Sequence, residues 1–485
     1  MKKLILLAAV CILNTTLLKS QECDCLQNFD WVKKTFEEND AGFAFALQQK
    51  GEQAYADHNK RIEERVQKAT TLAECTQILY EWLTFFRSGH ISIWLHEQNQ
   101  QSGMPASGSE STSDWETFDV DIQDFKTYLS GLEEYGFEGI WEMSSYTVGV
   151  KRFGEEYIGF IVESAHEIWK QGHVKLRFTV DDNRSRFVFY LYDRSAVERE
   201  GVQLLGNNHL LLGNAFRLNR VYPAVDAERD FTAWFRLLES REPYLERLDA
   251  STLYLRIPSF QMEFKQAIDN LLEVNREEIL RTQNLIIDIR NGTGGSDASY
   301  YEILPFLYTN PIRNVGVEFL STPLNNQRML DFIHNDEYGL TEEQKQWARE
   351  SFEKLEKRPG EFVNLNEEVT SITRLDTVFS FPQNVGIIIN ERNGSTDEQF
   401  LLAARQSRKV KLFGRTTYGV LDISNMYFVE SPCKEFELGY ALSRSLRIPG
   451  YTIDERGVQP DFYLDKSIPE YDWVNFVKEV LNQQD

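Results

Sequence analysis

Ser395 stands where a serine can serve either as a helix cap or as a nucleophile. It follows the apolar run VGIII, residues 385–389, and precedes a segment with apolar residues at helical spacing, such as Phe400 and Ala404. A serine at a helix start commonly accepts a hydrogen bond from an unpaired backbone N–H group. The same place brings its hydroxyl close to the helix N-terminus and to the N–H of Thr396, which could stabilise a developing oxyanion. The sequence predicts a strand-to-helix turn here and leaves both roles open.

A second segment could complete such a site. DIRNGTGGSD, residues 288–297, follows the apolar residues LII and has glycines at positions 292, 294 and 295. Glycines let a backbone approach a ligand closely and can direct N–H groups at an anion. Gly294 or Gly295 could therefore supply a second oxyanion donor, and the alternative is a tight turn with no further role. The spacing is that of neither a Walker A loop nor a dinucleotide-binding loop.

A nucleophilic serine needs a base and an acid that orients the base. No histidine follows His334, so the base is either an upstream histidine or a lysine. His90 is the candidate, because FFRSGHISIW, residues 85–94, places it at a Ser-Gly break between an apolar helix and an apolar run. The candidate acids are Asp454 and Glu455, in the turn-like segment IDERGVQPD, residues 453–461. The alternatives are a structural histidine and a surface carboxylate.

The composition and the spacing of apolar residues change along the chain, and these changes define the expected segments. Helical spacing gives way to a Ser- and Gly-rich stretch, then to strand-like alternation, and finally to alternating strands and helices. The predicted boundaries are a signal peptide at 1–20, a helical segment with His90 at 21–100, a linker at 101–114, a β-rich domain at 115–206, a connector at 207–250 and a core at 251–485.

The core sequence indicates βαβ units with a parallel sheet. STLYLRIP precedes a long helical pattern, and NLIIDIR and NVGIIIN are apolar strands that lead into the two loops described above. Parallel strands that are buried on both faces have this composition. Since chemistry in such sheets gathers at the carboxyl ends of the strands, the loops at Gly294 and Ser395 are expected to face the same edge.

Length and charge restrict what the chain can be and bind. Its 485 residues are enough for about two to four domains, and its apolar content allows a large core. The formal net charge is −23, and loss of residues 1–20 would remove Lys2, Lys3 and Lys19 and no acid, which gives −23 − 3 = −26. A protein this acidic is not expected to bind nucleic acid or an anionic membrane surface.

The first twenty residues, MKKLILLAAVCILNTTLLKS, have the pattern of a secretory signal peptide with cleavage near Ser20. A lipoprotein signal at Cys11 is disfavoured, because the apolar run before it is short. No later stretch approaches the roughly 20 apolar residues of a membrane span. The mature protein is therefore expected to be exported to the periplasm or the extracellular space.

Four cysteines remain after the predicted cleavage, namely Cys23, Cys25, Cys75 and Cys433. An even number in an exported chain permits disulfides, and a bridge from Cys23 or Cys25 to Cys75 would tie the mature N-terminus to a later helix. Buried free thiols are the alternative. Since the sequence has neither a CxxC pair nor a His-Cys cluster, no metal and no other cofactor are expected.

Several segments in this order resemble a known family: SGH, DIRNGTGGSD, NGSTDE, FGRTTYGV and GVQPD. They are similar to those of serine peptidases related to the C-terminal processing (tail-specific) proteases, the tricorn protease core and interphotoreceptor retinoid-binding protein. The resemblance covers residues 251–466 and, less closely, the region of His90. It implies an α/β fold with a crotonase-like (ClpP-like) core of ββα units, a preceding helical segment and a small β-rich domain.

The resemblance distinguishes two branches of this family by their base. Tail-specific proteases pair the serine with a lysine after Thr-x-Gly, but here Val420 follows the matching residues 417–419, and no lysine lies between Lys411 and Lys434. Tricorn-like members use a histidine from the N-terminal region and an acid before the closing GVxPD-like segment. His90 and Asp454 occupy those positions, so the tricorn-like branch is favoured.

The implied activity is hydrolysis of peptide bonds in peptides or unfolded protein. The resemblance assigns attack to Ser395, proton transfer to His90, support of the imidazole to Asp454, and the oxyanion hole to the N–H groups of Thr396 and of Gly294 or Gly295. A PDZ domain is not recognisable in the sequence, so a preference for protein C-termini is not implied. The alternative is a catalytically inactive small-molecule or peptide-binding protein, because retinoid-binding relatives use the same core to hold a ligand.

Overall fold

A computed structural model of the chain describes residues 23–96, 115–181, 184–213, 216–226 and 231–483. The predicted signal peptide at 1–20 and the linker at 101–114 lie outside the described residues. The chain divides into two compact units: the first combines Met1–Gly103 with Glu239–Asp485, and the second is Met104–Leu238. The α/β class expected from the sequence is confirmed.

The secondary structure comprises helices of varied length and mostly short strands. The helices are α1 Cys25–Asn39, α2 Phe43–Lys50, α3 Glu52–Val66, α4 Leu72–Thr84, α5 Ile122–Ser130, α6 Thr232–Glu239, α7 Met262–Val274, α8 Arg276–Ile279, α9 Leu304–Leu307, α10 Pro323–His334, α11 Glu342–Glu356, α12 Thr396–Ala404 and α13 Trp473–Asn482. Single turns of 3₁₀-helix occur at Asp297–Ser299, Asp336–Tyr338 and Glu470–Asp472.

The strands are β1 Ser92–Leu95, β2 Gly139–Met143, β3 Tyr146–Phe153, β4 Glu156–Ser164, β5 Val174–Val180, β6 Ser185–Tyr190, β7 Ala196–Glu200, β8 Val202–Leu205, β9 His209–Leu212, β10 Phe216–Tyr222, β11 Tyr244–Arg247, β12 Thr252–Arg256, β13 Asn284–Asp288, β14 Ile312–Val315, β15 Val317–Leu320, β16 Phe362–Val363, β17 Thr370–Thr373, β18 Asn384–Ile389, β19 Val410–Gly414, β20 Ile423–Glu430, β21 Phe436–Ser445 and β22 Phe462–Tyr463.

The N-terminal helices fold around an aromatic core, because their apolar residues recur on one face. Phe29, Phe36 and Trp82 are fully buried there. Helix α1 begins with a capping box, in which Asp24 accepts the N–H of Gln27 and the Gln27 side chain accepts the N–H of Asp24.

Two disulfides secure this helical segment. Cys25 pairs with Cys75, which joins α1 to α4, and Cys23 pairs with Cys433, just before β21. The first of these is one of the bridges that the sequence left open. The second joins positions 410 residues apart in the chain.

A six-stranded sheet forms the centre of the first unit, in the order β11-β12-β13-β18-β19-β22. All pairs are parallel except β11 with β12. Every residue of β12 and β13 is buried, which explains the apolar residues 253–255 and 285–287 at their centres. Because β13 and β18 run side by side in the same direction, the loops that follow them lie at one edge of the sheet.

A five-stranded sheet, ordered β1-β21-β15-β16 with β20 also paired to β21, attaches the helical segment to the core. Strand β1 pairs antiparallel with β21, with Ile93 opposite Leu438. His90, two residues before β1, is thereby brought to the core although it is distant in sequence.

The second unit is built on a nine-stranded antiparallel sheet in the order β7-β6-β5-β4-β3-β2-β10-β9-β8. The alternating segments of the sequence correspond to its strands from β3 to β6. Residues 207–222, which the sequence pattern assigns to the start of a connector, contain β9 and β10 of this sheet. The run HLLL in β9 does not alternate, and the register of β10 with β2 shifts between Arg220 and Tyr222, so the pattern ends earlier than the sheet.

No helix in the described part of the chain combines the length and the apolar composition that a membrane crossing requires.

Candidate active site

Ser395 occupies the turn between β18 and α12, as its sequence position predicts. Its backbone has φ 58° and ψ −120°, a conformation that is costly for a residue with a side chain. Although Ser395 is the residue that precedes α12, its side chain makes no capping bond to the helix. Its N–H group donates to the carbonyl oxygen of Val420 (3.0 Å). The hydroxyl is therefore free of the capping role that would explain a serine here.

The hydroxyl of Ser395 faces His90 instead. His90 Nε2 lies 3.0 Å from Ser395 Oγ, within hydrogen-bond distance, although 305 residues separate the two in the chain. His90 also has a positive φ, 51°, so both partners have unusual backbone conformations.

The other imidazole nitrogen identifies the tautomer of His90. Nδ1 lies 2.5 Å from the carbonyl oxygen of Ile423, the first residue of β20. Because a carbonyl oxygen can only accept a hydrogen bond, Nδ1 carries the proton. Nε2 of the neutral ring is then the acceptor for the hydroxyl of Ser395. This is the arrangement that a general base needs.

Asp454 lies near this pair but binds the backbone next to it. Its Oδ1 accepts the N–H groups of Leu421 and Asp422 (2.6 Å each), and its Oδ2 accepts the N–H of Ile423 (3.2 Å). No hydrogen bond joins Asp454 to His90 among the described residues. The carboxylate thus touches the peptide segment whose carbonyl oxygen holds the imidazole.

Asp422 fixes the position of Asp454 in turn. The Asp422 side chain is fully buried, and Oδ2 accepts the N–H of Asp454 (3.0 Å). Its Oδ1 accepts a hydrogen bond from Arg447 Nε (3.0 Å). Residues 421–423 and 453–454 are therefore connected through two carboxylates.

Gly294 and Gly295, in the loop after β13, lie next to the turn that carries Ser395. A Cβ atom added to Gly294 would lie 2.8 Å from Ser395 Cβ and 3.2 Å from the nitrogen of Thr396, so only glycine fits there. The hydroxyl of Thr396 donates to the carbonyl oxygen of Gly295 (2.9 Å), which joins the two loops. The N–H of Gly294 faces the carboxyl of Asp397.

The loop that follows β19 is held by Glu398. The fully buried carboxylate accepts hydrogen bonds from the Thr417 hydroxyl, from the N–H of Gly419 (2.8 Å) and from the N–H of Val420 (2.9 Å). Since the Val420 carbonyl oxygen accepts the N–H of Ser395, Glu398 supports the turn that presents the serine.

Burial shifts the protonation equilibria around the site. It lowers the pKa of His90 to about 4, and the nearby charge of Arg87 also lowers it. Burial raises the pKa of Asp454 to about 6 and that of Asp397 to about 7. His90 is therefore neutral at neutral pH.

Some residues of the site were not predicted from the sequence. The carbonyl group of Ile423 could not be identified from the sequence, because every residue has a backbone carbonyl group. Asp422 and its partner Arg447 resemble ordinary polar residues in strands and turns. Groups of three or more His, Cys, Asp or Glu side chains placed to hold a metal ion are not found among the described residues.

Comparison with known proteins gives a family for the core. Residues 251–464 match the model of peptidase family S41. No curated protein sequence matches this chain.

Solved structures with a similar fold include mature CPAF complexed with lactacystin, which is 13% identical, with a TM-score of 0.51 over 94% of this chain and 97% of that chain. The photosystem II D1 C-terminal processing protease is 10% identical, with a TM-score of 0.39 over 96% and 98% of the two chains. The tricorn protease is 13% identical, with a TM-score of 0.40 over 95% of this chain and 36% of that chain. The core of this chain, residues 251–464, thus matches a family of serine peptidases, which are hydrolases.

Proposed function

We propose that this chain is an exported serine peptidase in which Ser395 is the nucleophile and His90 the general base. The observation that carries the proposal is the 3.0 Å distance between His90 Nε2 and Ser395 Oγ. The proton on Nδ1, directed at the carbonyl oxygen of Ile423, leaves the lone pair of Nε2 for the serine.

In the proposed reaction, Ser395 Oγ attacks the scissile carbonyl carbon while its proton moves to His90 Nε2. The new C–O bond converts the carbonyl oxygen to an oxyanion. When the tetrahedral intermediate collapses, the C–N bond breaks and the amine leaves with the proton from Nε2. Water then repeats the sequence on the acyl-enzyme, with His90 again as the base, and releases the acid product and free Ser395.

We assign the oxyanion hole to the N–H groups of Thr396 and Gly295. Thr396 is the first residue of α12, and within the described residues its N–H donates no hydrogen bond, as is usual at a helix start. The N–H of Ser395 is engaged by Val420, and that of Gly294 faces Asp397. Of the two glycines suggested by the sequence, Gly295 is therefore the better donor.

Asp454 would support the imidazole indirectly. Its carboxylate binds the N–H of Ile423, while the carbonyl of the same residue accepts the proton of His90 Nδ1. A negative charge behind this residue stabilises the imidazolium that forms during the reaction. We expect Asp454 to contribute less to kcat than an acid in direct contact with the ring.

We propose further that the core is crotonase-like and that the protein acts outside the cytoplasm. The parallel order of β12, β13, β18 and β19 supports stacked ββα-type units. The two disulfides support an oxidising compartment, where such bonds persist. The substrate would be a peptide or an unfolded protein, because the peptidase family acts on peptide bonds.

The test is labelling of the full chain with a fluorophosphonate, followed by peptide mapping and by cleavage of a fluorogenic peptide library. We expect label on Ser395 alone. Ser395→Ala should abolish labelling and cleavage, and His90→Ala should lower kcat by about 100- to 10,000-fold, the usual contribution of a general base. Both variants should keep the melting temperature of the wild type.

Ser88→Ala is the matched control, because Ser88 is an exposed serine beside His90. It should label and cleave like the wild type. If the wild type neither labels nor cleaves, the peptidase proposal fails and a ligand-binding role of the same core takes its place.

A further inference from the structure

The segment between α4 and β1, which presents His90, is held by side chains. The carbonyl oxygens of Ser88, Gly89 and His90 accept hydrogen bonds from the Tyr418 hydroxyl (3.2 Å), from Arg87 Nε (3.0 Å) and from Arg87 Nη2 (2.8 Å) respectively. Within the described residues, no backbone N–H group donates to these three oxygens. The path of the backbone here therefore depends on Arg87 and Tyr418.

Arg87 is itself fixed by a buried carboxylate. Its Nη1 donates to Asp40 Oδ1 (2.7 Å) and its Nη2 to Asp40 Oδ2 (2.6 Å), a bidentate pair whose side chains are 9% and 0% exposed. Asp40 also accepts the N–H of Gly42 (2.9 Å) and the N–H of Ala441 in β21 (3.1 Å). The guanidinium is thus anchored to the five-stranded sheet as well as to the end of α1.

This anchoring matters because a histidine does not readily adopt the backbone conformation found at His90. A φ of 51° is uncommon for a residue with a side chain, and such conformations persist only where surrounding contacts impose them. On the other side, Gly89 packs against Val420, where an added Cβ would lie 2.5 Å from Cγ1. The imidazole can reach Ser395 only if the backbone stays between these two supports.

We propose that Arg87, held by Asp40, is the positioning residue that keeps His90 Nε2 in line with Ser395. The inference rests on the proposed function, since it assigns His90 the role of base. The planar guanidinium makes four hydrogen bonds in fixed directions, to two carboxylate oxygens and two carbonyl oxygens. A lysine has the charge but cannot reproduce this geometry. Neither Arg87 nor Asp40 is assigned contact with the substrate.

The test compares Arg87→Lys and Arg87→Met with the wild type in steady-state cleavage of a peptide substrate. We expect Arg87→Met to lower kcat by about 100-fold, the effect of a misplacement of about 1 Å in catalytic geometry. Arg87→Lys should show a smaller loss. KM should stay unchanged in both, because the pair would position the base and not the substrate.

Leu79→Ala is the matched control for stability. Leu79 is fully buried in the same helical core and makes no contact with residues 88–90 through hydrogen bonds. It should lower the melting temperature without changing kcat. If the Arg87 variants lose melting temperature but keep kcat, as Leu79→Ala is expected to do, Arg87 is merely structural and the inference is wrong. If Arg87→Met does not fold, Arg87→Lys provides the comparison.

A second measurement follows His90 without activity. In protein with isotope-labelled histidine, the resonances of His90 are identified by their absence in His90→Ala. We expect a fixed Nδ1–H tautomer in the wild type and averaging of the two tautomers in the Arg87 variants. An inactive wild type with this spectral change would refute the proposed peptidase mechanism and support the positioning of His90 by Arg87. An active wild type with Arg87 variants that are identical to it in spectrum and kcat would refute the inference alone.

Discussion

At the scale of single residues, His90 combines a fixed tautomer with an environment that disfavours its charged form. Its Nδ1 proton is directed at Ile423, and burial and the charge of Arg87 lower its pKa to about 4. An imidazole with this pKa is neutral, and so able to accept a proton, over most of the pH range in which proteins fold. The acidic partner Asp454 has a pKa raised by burial to about 6. The two groups therefore titrate in an order opposite to that of the free side chains.

We predict that kcat/KM of the wild type falls only slightly near pH 6, where Asp454 loses its charge, and declines steeply near pH 4, where His90 becomes protonated. The contribution of His90 to folding stability depends on pH in the same direction. Between its unfolded value of 6.5 and about 4, the unfolded state binds more protons at His90, so the contribution of His90 to folding stability decreases as the pH falls through this window. Asp454, whose pKa is raised to about 6, contributes with the opposite sign below that pH. The measurement is kcat/KM against pH, with circular dichroism at each pH to verify folding.

A decline centred near 6.5 would contradict this prediction, because it would give His90 the pKa of a free histidine. A decline near 6 that disappears in Asp454→Asn would instead report the ionisation of Asp454. Asp454→Asn thus distinguishes whether His90 or Asp454 causes the decline of kcat/KM at low pH.

At the scale of elements, the turn at Ser395 depends on the loop after β19. Helix α12 contributes Glu398, whose carboxylate accepts the Thr417 hydroxyl and the N–H groups of Gly419 and Val420. The carbonyl oxygen of Val420 accepts the N–H of Ser395, so helix, loop and turn form a closed ring of contacts. A carboxylate suits this position since all three groups that face it are donors.

We predict that Glu398→Gln destabilises the protein by about 1–3 kcal/mol, because the amide nitrogen would face an N–H donor and leave it without an acceptor in a buried place. Displacement of the loop would also lower kcat. The measurements are urea unfolding and steady-state kinetics. Glu391→Gln is the control, since Glu391 is an exposed carboxylate in the same β18–α12 connection and should change neither quantity. Equal behaviour of the two variants would show that the Glu398 contacts do not support the turn.

At the scale of the whole molecule, the two units differ in what their cores contain. The first unit buries paired charges, such as Arg87 with Asp40, whereas the second buries Lys175 without an ion-pair partner among the described residues. Lys175 Nζ lies 3.9 Å from the ring centroids of both Tyr146 and Trp169, and its polar contact is the Leu191 carbonyl oxygen at 3.4 Å. Aromatic faces compensate part of the cost of burying this cation. Burial nevertheless lowers its pKa to about 7.

We predict that Lys175→Met raises the free energy of unfolding of the second unit by about 1–3 kcal/mol below pH 7, since it removes a buried cation with poor hydrogen bonding. The advantage should shrink as the pH rises from about 7 to 10.5. In that window the unfolded state holds a proton that the folded state has lost, so the wild type gains stability with rising pH. Urea unfolding of the full chain at several pH values, followed by tryptophan fluorescence, measures this dependence.

Lys170→Met is the control, because Lys170 is an exposed lysine of the same unit and should not alter the pH dependence. A Lys175→Met variant that is less stable than the wild type at every pH would show that the contacts with Tyr146 and Trp169 outweigh the cost of burial.

The sequence by itself determined the features that depend on neighbouring residues. Apolar runs before residues 288 and 390 predict buried parallel strands, and the polar and glycine-rich turns that follow predict loops at one edge of the sheet. The family resemblance, which the match over residues 251–464 confirms, also depends on local segments in a fixed order. These signals are local because periodicity and turn chemistry act over a few residues.

Only the tertiary structure decided how distant residues meet. Pairing of β1 with β21 brings His90 to Ser395 across 305 residues, and the same docking creates the Cys23–Cys433 bridge. The family resemblance suggested a role for Asp454, but not that its carboxylate would bind the N–H of Ile423, whose carbonyl oxygen lies against His90 Nδ1. Such contacts have no local pattern, since they are made by backbone atoms that every residue has and by side chains placed by sheet pairing. The sequence thus shows which chemical groups are present, whereas the direction in which each side chain points depends on the tertiary structure.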